Sequence, residues 1–93
     1  MPQQQVDKLL KAFDKAIKNK EKGKFGKDDI NEIYEAANEA FDFQYDLSQD
    51  QIDKIRDKWV TLAEEKIDKS GATKKLQGTS RAEAIRSVLQ SML

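Results

Sequence analysis

The chain has 93 residues, of which 17 are Lys or Arg and 17 are Asp or Glu, so its formal net charge is zero. Charged residues make up 37% of the chain, so we expect a modest core beneath a strongly ionic surface. The chain has no cysteine and no histidine, which excludes disulfides, thiolate zinc sites and histidine-dependent catalysis. No apolar run reaches about 18 residues, so we expect no transmembrane helix, and the lack of cysteine fits a cytoplasmic location.

The charges are sorted into blocks along the chain. Residues 1–27 hold eight lysines and three acidic residues, whereas residues 28–53 hold nine acidic residues and no basic one. Neighbouring blocks of opposite sign either pair within the fold or bind a charged partner. The sequence leaves both interpretations open.

Two amphipathic helices are predicted in the first half of the chain. The first covers residues 4–19, with an apolar face of Val6, Leu9, Leu10, Phe13 and Ile17. It ends before Gly23 and Gly26, which permit the positive φ angles of a chain reversal. The second covers residues 28–41, with an apolar face of Ile30, Ile33, Tyr34, Ala37 and Phe41. Its acidic stripe has no basic residue within the helix, so we expect it to gain stability from a cationic neighbour.

Two further helices are predicted in the second half. Ser48 and Gln51 form a capping box that starts a helix over residues 49–69, with Trp59 in the core. Ser70 and Gly71 are predicted to end this helix, with Gly71 directly after its last residues. Residues 70–79 are predicted to be a loop plugged by Leu76. Ser80 and Glu83 form a second capping box before a helix over residues 81–92. The segment 41–47 alternates between apolar and polar residues, and we interpret it as an extended connection whose aromatic side chains tuck against the helices.

Each predicted helix is apolar on one side only, so the four helices must share one core. The predicted fold is therefore all-α, a single small four-helix domain over residues 1–93. Its two halves are predicted to be two helix–loop–helix units.

The segment from residue 6 to residue 41 resembles an EF-hand. With Lys18 as loop position 1, Gly23 falls at position 6 and Asp29 at position 12, as in that family. The resemblance implies a paired helix–loop–helix domain. It also implies a loop that does not bind calcium, because Lys18, Lys20 and Lys22 occupy positions 1, 3 and 5, where the family has oxygen ligands. Residual divalent-ion binding by Asp68, Ser70 and Glu83 in the second half is left open.

The sequence contains no nucleophile elbow, P-loop or metal-ligand set, so we predict a protein that is not an enzyme and has no cofactor or metal. We predict instead a non-catalytic protein–protein interaction module, a small regulator, inhibitor or assembly adaptor that uses its charged helical faces. The candidate partner-binding residues are Lys18, Lys20, Lys22, Lys24, Lys27, Phe43 and Tyr45. The alternative is nucleic-acid binding through the basic cluster Lys15–Lys27, because lysines on phosphates supply most of such affinity. The oligomeric state is left open.

Overall fold

The computed structural model describes residues 2–42 and 47–93. Within them the chain forms the helices α1 (Gln3–Glu21), α2 (Lys27–Phe41), α3 (Gln49–Leu62), α4 (Lys69–Leu76) and α5 (Arg81–Gln90). These described residues contain no strand. The all-α prediction is therefore confirmed. The predicted connection between α2 and α3 falls largely on residues 43–46, which lie outside the described residues.

The prediction of four helices is wrong, because α4 occupies most of the predicted loop 70–79. Helix α3 ends at Leu62 instead of continuing to residue 69. The side chain of Asp68 then caps a new helix by accepting a hydrogen bond of 2.7 Å from the N–H of Gly71. Gly71, which the sequence suggested as a helix end, lies in the first turn of α4.

The two predicted capping boxes have different outcomes. At α3 the box is present: Ser48 Oγ accepts from the N–H of Gln51 at 3.1 Å, and Gln51 Oε1 accepts from the N–H of Ser48 at 2.8 Å. At α5 the predicted box is absent, because the Ser80 side chain makes no capping hydrogen bond. Glu83 instead bonds to side chains on α2 and α5.

One cluster of buried side chains draws on all five helices. Helix α1 packs against α2 and α3, α2 also packs against α5, and α3 packs against α4. Trp59 is fully buried in this cluster, as predicted, and so is Leu76. The other large buried side chains include Phe13, Leu9, Ile33, Ile55, Leu62, Ile85 and Leu89. No helix in the described part of the chain is both long and apolar enough to cross a membrane.

Candidate interaction surface

The opposed charges of α1 and α2 pair with each other along the contact between the two helices. Lys8 Nζ lies 2.9 Å from Glu39 Oε2, and Lys15 Nζ lies 3.1 Å from Glu32 Oε2. The four side chains are about half exposed or more, so each pair contributes about 0–1 kcal/mol. Part of the basic block is therefore neutralised by the acidic block inside the fold.

The chain reversal after α1 is fixed by backbone hydrogen bonds. Gly23 has a φ of 70°, the left-handed conformation that glycine adopts without a steric cost. Its N–H donates to the carbonyl of Lys20 at 3.0 Å, and the N–H of Lys24 donates to the carbonyl of Asn19 at 2.7 Å. This is the pattern of a Schellman motif, with Gly23 directly after the cap.

Asp29 joins the two ends of this reversal. Its carboxylate is only 6% exposed and accepts from Asn19 Nδ2 at 2.8 Å and from the N–H of Gly26 at 3.1 Å. The hydrogen bonds connect the last turns of α1 to the first turn of α2. The backbone between the helices is therefore held in one conformation.

This reversal carries a group of exposed lysines, which we call the lysine turn: Lys18, Lys22, Lys24 and Lys27. Lys18 lies in the last turn of α1, Lys22 caps that helix, and Lys27 begins α2. All four are exposed, and none forms an ion pair with another described residue. They are the candidate site residues that the structure presents to solvent.

Lys20 behaves differently from its neighbours. Its side chain is partly buried, and Nζ donates a hydrogen bond of 2.9 Å to the carbonyl of Leu62 at the end of α3. This contact, 42 residues apart in sequence, places the lysine turn beside the turn that follows α3. Lys20 therefore ties α1 to α3, a role that the lysine pattern did not reveal. The remaining candidates, Phe43 and Tyr45, lie outside the described residues.

The lysine turn is not uniformly basic. Lys24 and Lys27 line an open depression of about 370 Å³ that also contains the carboxylates of Asp28 and Glu32. Lys18 and Lys22 do not line it. The surface thus combines cations with acidic residues at short range, an arrangement suited to a partner that also carries both polar and charged groups.

The described residues hold no group of three or more acidic, cysteine or histidine side chains placed to bind a metal ion. The residues considered for residual divalent binding make separate contacts. Asp68 caps α4, whereas Glu83 accepts from the hydroxyl of Tyr34 and from Arg86 Nη2.

Sequence reasoning missed the contacts that join α2 to α5. The Arg86 guanidinium lies 4.1 Å from the centroid of the Tyr34 ring, close enough for a cation–π contact. The hydrogen bond from Tyr34, together with the charge of Arg86, lowers the pKa of Glu83 below its ordinary value. The spacing of Glu83 and Arg86 on one helix face is visible in the sequence, but their pairing with Tyr34 is not, because it joins positions 49 residues apart.

Comparison with known proteins adds no assignment to this surface. The chain matches no family model, no curated protein and no solved structure. Its function is therefore inferred from the chemistry of its own surface.

Proposed function

We propose that this protein is a non-catalytic protein–protein interaction module that binds an acidic partner surface through the lysine turn. One observation carries the proposal. Lys8 and Lys15 of α1 form ion pairs with α2, whereas the four cations of the lysine turn are exposed, lie together at the chain reversal and form no such pair with described residues. Exposed cations on a fixed backbone attract a complementary acidic patch and set its orientation.

A protein partner is favoured over nucleic acid, the alternative, for two reasons. Two cations of the cluster Lys15–Lys27 are engaged inside the fold, Lys15 with Glu32 and Lys20 with Leu62. The exposed carboxylate of Asp28 lies beside the lysines and repels the continuous negative charge of a phosphate backbone. An acidic protein surface differs in this respect, because it can place a polar or basic side chain opposite Asp28 and its carboxylates opposite the lysines. A small regulator, inhibitor or assembly adaptor uses such a mixed surface without performing chemistry.

We further propose that α1 and α2 form an EF-hand-like helix–loop–helix that has lost its calcium ligands. Support comes from Gly23, whose φ of 70° makes the sharp turn at the position where EF-hand loops have glycine. In this proposal α3 and the helices after it form the second unit. Lys18 and Lys22 then stand at loop positions 1 and 5, where the family has metal ligands, and belong to the partner-binding surface, whereas Lys20 at position 3 bonds to Leu62.

The proposed function is tested by affinity capture from the native host with two matched triple variants. The first, Lys18→Glu, Lys22→Glu and Lys24→Glu, reverses the lysine turn. The control, Lys69→Glu, Lys74→Glu and Lys75→Glu, changes the net charge by the same amount on α4. We expect the wild type and the control to retain the same protein, and the lysine-turn variant to lose it.

Two further conditions sharpen the result. Retention should weaken as salt rises, because exposed charges are screened. Retention that disappears after nuclease treatment would favour the nucleic-acid alternative. Equal retention by all three proteins would refute the lysine turn as the binding surface.

A further inference from the structure

We propose that a cavity between α3, α4 and the start of α5 binds a small aliphatic carboxylate, with Arg81 as its cationic anchor. The cavity lies in the first half of α3, and its wall residue Ile52 is roughly 15 Å along that helix from Leu62, where the helix contacts the lysine turn. The proposal is therefore independent of the proposed function and adds a ligand site to it.

The cavity has a volume of about 230 Å³, below the roughly 300–1,000 Å³ of sites for drug-sized ligands. Ile52 of α3 and Leu76 of α4 give it apolar walls, while Thr73 and Gln77 give it polar ones. Gln49 also lines the cavity, so polar side chains outnumber the two apolar ones and the ligand must carry a polar group beside its carbon chain. The size limits the ligand to a short carbon chain.

Two arginines and the carboxylate of Asp53 line the cavity, and only Arg56 has its charge compensated. Arg56 is largely buried, with 13% of its side chain exposed. Its Nη1 lies 3.1 Å from Asp53 Oδ1, and its Nη2 lies 2.9 Å from Asp57 Oδ1. Arg56 is thus satisfied by two carboxylates of its own helix.

Arg81 has no ion pair with any described residue. Its Nε donates to the carbonyl of Gly78 at 3.2 Å, and its guanidinium lies 5.4 Å from the centroid of the Phe41 ring. Its Nη1 is buried and has no hydrogen-bond partner in the described part of the chain. A buried charged donor without an acceptor is costly, and it calls for an explanation.

A carboxylate in the cavity supplies the counter-charge that Arg81, as a lining residue without an ion pair, lacks. Arginine pairs with carboxylates through parallel, charge-assisted hydrogen bonds, which are stronger than neutral ones. The single uncompensated cation favours a monoanion over a dianion. Ile52 and Leu76 then contact the alkyl chain of the bound acid.

The test is an NMR titration of the ¹⁵N-labelled protein with butanoate, and with butanamide as a neutral ligand of the same size. With butanoate we expect saturable shifts of the backbone amides of Thr73, Gln77 and Arg81. With butanamide we expect none. Arg81→Gln should weaken butanoate binding at least about tenfold, the effect of losing a charge-assisted hydrogen bond. Lys75→Gln removes the same charge from α4 outside the cavity lining and should leave the affinity unchanged.

A second variant separates binding from folding, because Arg81 also contacts Gly78 and Phe41. Thr73→Leu narrows the cavity and keeps Arg81, and it should abolish the butanoate shifts. The proposal is overturned if butanoate gives no saturable shift or shifts only the lysine turn. Equal shifts with butanamide, or unchanged affinity in both variants, overturn it as well. None of these results bears on partner capture by the lysine turn.

Discussion

Replacing Lys20 by methionine tests whether a charged side chain of the candidate surface is a structural contact. The Lys20 ammonium donates to the carbonyl of Leu62, the last residue of α3. No backbone N–H among the described residues donates to this carbonyl, because the N–H groups of Lys66 and Ile67 both bond to Ala63. The ammonium also lies at the negative end of the α3 dipole.

The magnitude follows from this geometry. A hydrogen bond to a charged group contributes about 1.5–3 kcal/mol, and the contact of Lys20 is only partly buried. We therefore expect Lys20→Met to lower the free energy of unfolding by about 1.5 kcal/mol. Lys18→Met is the matched control, since Lys18 is exposed and lies in the same helical turn. It should change stability by less than about 0.5 kcal/mol. Lysine and methionine have similar helix propensities, so the control isolates the contact.

The assay is urea unfolding followed by circular dichroism. With a typical m-value for a small protein, the expected loss for Lys20→Met lowers the urea midpoint by about 1 M relative to Lys18→Met. If the two variants unfold at the same midpoint, the Lys20–Leu62 contact contributes nothing and the structural role assigned to Lys20 is wrong. In that case Lys20 returns to the set of candidate partner-binding lysines.

Three further predictions concern the core, the helix pairing and the pH dependence of stability. Trp59→Ala should lower the free energy of unfolding in denaturant by about 3–5 kcal/mol, and Trp59→Phe by clearly less, because the indole is a large, fully buried side chain of the core. Equal losses for the two variants would contradict this. Lys15→Glu should destabilise by about 1 kcal/mol or less, and adding Glu32→Lys should restore stability if their ion pair is real. The hydrogen bond from Tyr34 lowers the pKa of Glu83, so the ionised carboxylate stabilises the folded protein. This contribution to the free energy of unfolding is complete at pH values above the ordinary pKa of glutamate. It is lost as the pH falls through the lowered pKa of Glu83. Glu83→Gln should therefore flatten the acid side of the pH–stability profile, and an unchanged profile would count against the contact.

The start of α3 and the core face of each helix could be predicted because their signals are local. Ser48 and Gln51 lie within one turn of each other, and their hydrogen bonds form wherever that turn forms. Apolar residues at spacings of three and four predict that Phe13, Ile33 and Trp59 lie in the core, and all three are fully buried.

The end of α3 and the whole of α4 could not be predicted in this way. Helix α4 has eight residues, shorter than isolated helices that are stable in water. Burial of Ala72 and Leu76 against the rest of the fold supplies the stability that its own sequence lacks. The sequence also offered a misleading signal at Gly71, which lies inside this helix instead of ending the one before it.

In the candidate surface, too, some features follow from the local sequence and others depend on tertiary packing. The sequence by itself determined that opposite charges lie in adjacent blocks and that Gly23 reverses the chain between them. Only the tertiary structure decided which lysines are used inside the fold, because Lys15 and Lys20 meet their partners on other helices. Composition and local pattern determine how many charges a helix carries and on which face. The packing of helices distant in sequence determines which of those charges remain exposed to a partner.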